Sequence, residues 1–157
     1  MKEYLDLLKE SLMRKEEILK ELIKKSETQR QLMEFEEPDW DLFDRIGEEK
    51  EKLISNLLKQ DEGFQSVFDR ISEELKANKG KYGTEIAGMK EQIKTVTDLS
   101  VELEATEQRN KVLIEKKFRE NQNKIKQSRL GSQAAIQYYN KMSKINTVDP
   151  QLMDKKS

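Results

Sequence analysis

Apolar residues along this chain recur every three or four positions, the spacing that lines one face of an α-helix. From Tyr4 to Phe35 the stripe reads Leu5, Leu8, Leu12, Leu19, Leu22 and Met33, widened by Tyr4, Ile18 and Leu32. Outward pairs such as Glu16 with Lys20 and Glu21 with Lys25 stand four residues apart in the favourable order. Pro38 blocks continuation of this first helix and Asp39 is suited to cap the next. A second helix is predicted from about Trp40 to Lys59 on Phe43, Ile46, Leu53 and Leu57, with Trp40 and Leu42 closing the loop over the bundle end. Asp61-Glu62-Gly63 reads as a turn or a kink before a third apolar set, Phe64, Val67, Phe68, Ile71 and Leu75, so the pattern leaves open whether these two segments are one helix. Asn78 to Gly83 then breaks the spacing.

The last predicted helix starts near Thr84 and carries Ile86, Met89, Ile93, Val96, Leu99 and Leu103. Its stripe falters at Thr106, Glu107 and Asn110 and resumes at Leu113, Ile114, Phe118 and Ile125. A polar break can fix register when buried, but the simpler expectation is that the helix leaves the bundle there and becomes exposed. Between Gly88 and Gly131 lie 42 residues without proline or glycine, enough for a helical rod of roughly 63 Å at ~1.5 Å per residue. Gly131 looks like a helix stop. Beyond it, Ile136, Tyr138, Tyr139, Met142 and Ile145 form a short amphipathic stripe, and Leu152 and Met153 follow. A helix this short is marginal in water unless it docks, and little sequence remains to cover it. The expectation is therefore a bundle over 1–131 and a mobile, partly disordered tail over 132–157 whose apolar residues wait for a partner. The simpler alternative has Tyr138, Tyr139 and Met142 folding back as ordinary core.

Composition narrows the class. An apolar fraction of 34% against a charged fraction of 39% suits a slender, elongated helical fold with much surface. Two prolines and six glycines are too few to punctuate a β-architecture. The expected fold is all-α, an elongated antiparallel bundle of three or four helices with a long C-terminal helix. The 157 residues make one domain of ordinary size.

Neither cysteine nor histidine occurs. That removes thiolate and imidazole metal ligands, the usual neutral-pH base, and Ser/His or Cys/His nucleophile pairs. Carboxylates are plentiful, but none of their spacings stands apart from a solvated helix face, and no phosphate loop, dinucleotide fingerprint or calcium loop is present. An enzyme is not expected, nor a cofactor or metal. No run of 18 apolar residues occurs and Met1 to Glu10 has no signal-like core, so the protein is expected in the cytoplasm without membrane insertion.

Charge is segregated. Residues 1–107 hold 18 Lys/Arg against 27 Asp/Glu, whereas 108–157 hold 12 against 4. A basic half can meet nucleic acid or an acidic surface; packing antiparallel on the acidic half of its own bundle is the simpler expectation. The net charge of −1 argues against nucleic acid. Two readings stay open: a helical chaperone or adaptor that receives a partner helix, and a structural coiled-coil scaffold. Gly47, Gly63, Gly80 and Gly83 interrupt any continuous heptad run and favour the first.

Over essentially its full length the chain resembles the flagellar export chaperones of the FlgN type, with the filament-cap (FliT-type) chaperones a sister family hard to separate from it. The resemblance rests on Tyr4-Leu5-Asp6-Leu7-Leu8, on Lys50-Glu51-Lys52-Leu53-Ile54, on Leu57 through Phe64, on Glu107 through Ile114, and on the closing Ala135 to Tyr139 and Asp149 to Lys156, similar to clostridial members. It implies a cytoplasmic escort that binds the terminal amphipathic helix of a hook-associated (junction) protein, prevents premature assembly and delivers it to the flagellar type III secretion apparatus, with export components as further partners. Carried over, the partner-binding residues are Leu113, Ile114, Phe118 and Ile125 of the distal helix and Ile136, Tyr138, Tyr139, Met142, Ile145, Leu152 and Met153 after it. A homodimer is left open.

Overall fold

The computed structural model describes residues 1–120 and 129–145. Among the described residues all regular structure is helical: α1 (Lys2–Leu32), α2 (Trp40–Ala77), α3 (Gly83–Glu120) and α4 (Arg129–Met142). α1 stops at Leu32, ahead of the Glu36-Glu37-Pro38 stretch where the sequence places its end, while the start of α2 follows the sequence. Asp39 takes an extended backbone and its Oδ1 accepts a hydrogen bond from the Leu42 amide at 3.0 Å, satisfying one of the free N–H groups at the start of α2. Asn78 closes α2, its amide and its side chain both donating to the Glu74 carbonyl at 3.0 Å.

The two segments flanking Asp61-Glu62-Gly63 are one helix. Leu57, Phe64, Phe68, Ile71 and Leu75 are all buried on a single face of α2, so the apolar period runs through the glycine without a phase change. Gly63 weakens the helix locally, and Asp61 is held by an ion pair to Lys15 of α1 at 2.6 Å.

The bundle is built around α1, which packs against α2 on one flank and α3 on the other, while α4 packs against α2. Gln29 bonds the Phe43 carbonyl, Lys25 meets Glu49 and Ser11 meets Gln60, so α2 returns along α1. Lys9 with Gln92 and Ser26 with Asn110 show α3 running in the same direction as α1. The main core joins Leu5, Leu8, Leu12, Leu19 and Leu22 of α1, Ile54 to Leu75 of α2, and Met89, Ile93, Val96 and Leu103 of α3. A second cluster, Leu32, Met33, Trp40, Phe43, Ile46 and Ile114, seals the far end, where Trp40, Phe43 and Phe118 make edge and tilted ring contacts at 5.0–6.2 Å. No helix among the described residues is long and apolar enough to cross a membrane.

Three expectations need correction. The stop expected at Gly131 is absent, since Gly131 lies inside α4; α3 is described as far as Glu120, and 121–128 lie outside the described residues. Ile136 and Tyr139 line one cleft with Phe118, so the chain reverses between them and α4 folds back on the bundle. Thr106, Glu107 and Asn110 do not mark an exit to solvent; all three are buried. And the stripe on α4 is not an uncovered tail: Tyr138 is 2% exposed within the main core, with Tyr139, Met142 and Ile145 packed against it. The boundary expected at 131/132 therefore falls within a helix that belongs to the bundle.

Candidate partner-binding site

Where the polar break of α3 enters the core, every helix contributes to one buried layer. Lys50 of α2 extends its ammonium to both carboxylate oxygens of Glu107 at 2.9 and 3.1 Å and to Gln29 Oε1 of α1 at 2.7 Å. Both charges are withdrawn from water, with side chains 3% and 1% exposed. Asn110 donates to the Ser26 carbonyl at 2.8 Å, and Ser26 bonds back to Leu22. The Tyr138 ring of α4 covers the layer, with Lys50 Nζ 4.3 Å from its centroid, a cation–π distance. Burial pushes the Lys50 pKa down although Glu107 pulls the other way. Burial, then the nearby Glu107 charge, pushes Tyr138 well above the ordinary phenol value and raises Tyr139 likewise. The Tyr138 hydroxyl lies near Ser26 and Glu107 but makes no hydrogen bond of normal geometry, and Asn110 Oδ1 is also without a partner.

Beside this layer, α2, α3 and α4 enclose a cleft of about 320 Å³ whose walls are Phe43, Gly47, Ile114, Phe118, Ile136, Tyr138 and Tyr139, with Lys111 and Glu115 at the margin. Its walls are mainly apolar and aromatic. Ile136 stands 60% exposed at the edge of the cleft. A larger hollow of about 490 Å³ lies further along α2, where Leu12, Phe64, Ile93 and Val96 meet Lys15, Asp61 and Lys144. There burial raises the Asp61 pKa against the pull of Lys15, and the charged lining suits water better than an apolar group.

The residues singled out from the sequence divide into four sets. Ile114, Phe118, Ile136, Tyr138 and Tyr139 meet at the cleft. Met142 and Ile145 pack on the main core, and Leu113 does not line the cleft. Ile125, Leu152 and Met153 lie outside the described residues. Sequence reasoning missed Gln29, Lys50 and Glu107 as a unit. Their signal was a polar residue on an apolar stripe in three helices at once, Gln29 after Leu22 and Ser26, and Lys50 between Ile46 and Ile54. Among the described residues of the basic half, Lys141 of α4 meets Glu51 of α2, and Lys117 pairs with Glu120.

No known family, no curated protein and no solved structure matches this chain.

Proposed function

We propose that this protein is a cytoplasmic export chaperone of the FlgN type, which holds the terminal amphipathic helix of a flagellar hook-associated protein, keeps it from assembling early and passes it to the type III secretion apparatus. The observation that supports it is the open aromatic cleft between α3 and α4, the kind of groove in which the apolar face of a partner helix is buried. The anchors are Phe118, Ile136 and Tyr139, around Phe43 and Ile114. Tyr138 belongs to the floor rather than the contact surface, because the bundle already buries it. An occupant gains ~25 cal/mol per Å² of apolar area, less the cost of ordering both partners, so affinity is modest and release is easy.

The test is calorimetric titration of the full chain with peptides spanning the terminal helices of hook-associated and filament-cap proteins. Ile136→Asp is expected to weaken binding by roughly 1–3 kcal/mol while leaving helicity unchanged, since the side chain is exposed. Equal affinity of wild type and variant, or binding of none of the peptides, refutes the proposal.

A further inference from the structure

The common outer face of α1 and α3 carries two patches of opposite charge at opposite ends. On the first half of α1, Glu3, Asp6, Glu10 and Glu17 point outward around Met13, which is 52% exposed. On the last third of α3, Arg109 and Lys116 stand outward around Val112 and Leu113, 66% and 40% exposed. Within α1, Glu10 pairs with Arg14, while Glu3, Asp6 and Glu17 have no ion pair among the described residues, and the same holds for Lys116 and for Arg109, whose guanidinium reaches only Thr106. Apart from Glu10, each patch is therefore an apolar spot flanked by charge without an ion pair among the described residues, and the two patches are opposite in sign. Because Lys9 is level with Gln92 and Ser26 with Asn110, the acidic patch lies about 20 residues of helix, on the order of 30 Å, from the basic one. They cannot meet within one molecule.

We infer that the outer face of α1 and α3 is an interface for a second copy of this chain, in which Asp6, Glu10, Met13 and Glu17 of one protomer dock on Arg109, Val112, Leu113 and Lys116 of the other. Since α1 and α3 run side by side in the same direction, an oppositely directed second copy forms this contact twice, once at each end. A contact repeated in this way closes as a twofold dimer and does not propagate into a filament. Apolar burial supplies attraction at the centres and the charge rings set the register. Nucleic acid fits the basic patch poorly, because its centre is apolar and the acidic patch on the same face repels phosphate. The interface is separate from the α3–α4 cleft and stands or falls independently of the chaperone proposal.

The experiment uses two charge-reversed full-length proteins, Arg109→Glu with Lys116→Glu, and Asp6→Lys with Glu10→Lys and Glu17→Lys, all at exposed positions. Light scattering and sedimentation are expected to show a dimer for wild type at roughly 100 µM protein in about 50 mM salt, weakened about tenfold or more at about 500 mM. Each reversed protein alone is expected to be monomeric, since both of its patches carry one sign. An equimolar mixture is expected to give a heterodimer, because both contacts become complementary again; misfolded variants would not rescue one another. A monomeric wild type, a dimer indifferent to both reversals, or a mixture that stays monomeric overturns the inference. So does a duplex DNA probe that binds wild type in competition with dimer formation.

Discussion

Removing one member of the Lys50–Glu107 pair is expected to be among the most damaging single changes in the bundle. At about 3 Å and an effective dielectric of about 20, the attraction is on the order of 5 kcal/mol before the cost of taking both charges out of water. That desolvation cost cancels much of the gain, so the pair as a whole contributes little net stability. Glu107→Gln leaves a buried ammonium with neutral amide acceptors but no countercharge, and Lys50→Met leaves a buried carboxylate and removes the cation from the Tyr138 ring. Each single variant is expected to lose about 3–5 kcal/mol, a fall in Tm of roughly 6–20 °C at about 2–4 °C per kcal/mol for a chain of this size. The double variant Lys50→Met with Glu107→Leu is expected to lie between a loss of about 1 kcal/mol and a gain of several, because no charge is stranded. Urea denaturation followed by circular dichroism on the four proteins yields the coupling energy directly. Single variants within about 1 kcal/mol of wild type, or a double variant as unstable as the sum of the singles, would refute the assignment of this pair to the dry interior.

Two further outcomes follow from the same interior. Tyr138→Phe removes a buried hydroxyl without a hydrogen-bond partner and is expected to be neutral or stabilising by up to about 1 kcal/mol, whereas Tyr138→Ala should cost about 3–5 kcal/mol through the cavity left under α4. Because Tyr138 and Tyr139 have raised pKa values in the folded state, the native protein retains their protons after the unfolded chain has released its own. Their contribution is complete below the unfolded value near 10 and is lost as pH rises above it; chemical denaturation in that range should show a flatter alkaline decline for Tyr139→Phe. Finally, Gly63→Ala adds a methyl group that meets nothing within 4 Å inside α2 and is expected to raise the thermal midpoint, by about 0.5–1 kcal/mol of stability.

Much of the fold was legible in the pattern of apolar positions. The stripes on α1, α2 and α3 name most of the core, and Pro38 with Asp39 placed the first turn, because local chemistry alone decides where a helix must stop and cap. The continuity of α2 through Gly63 was ambiguous for a physical reason: one helical glycine costs too little to end a helix whose face continues to be buried beyond it. At the candidate site, Ile114, Phe118, Ile136 and Tyr139 were visible as apolar residues in a polar stretch, but their convergence on one cleft was not.

The sequence by itself determined an all-helical chain, its first turn, the absence of thiol and imidazole chemistry, and the opposite charge of its two halves. Only the tertiary structure decided where α4 goes and what Thr106, Glu107 and Asn110 are for. A polar residue on an apolar stripe reads alike whether it faces water or meets a partner from another helix. Lys50, Gln29 and Ser26 answer from two other helices, 57, 21 and 84 residues away within their respective pairs, and no local spacing encodes that meeting. Once the charged layer is closed by Tyr138, the last helix has a home in the bundle, and what it leaves open is a cleft.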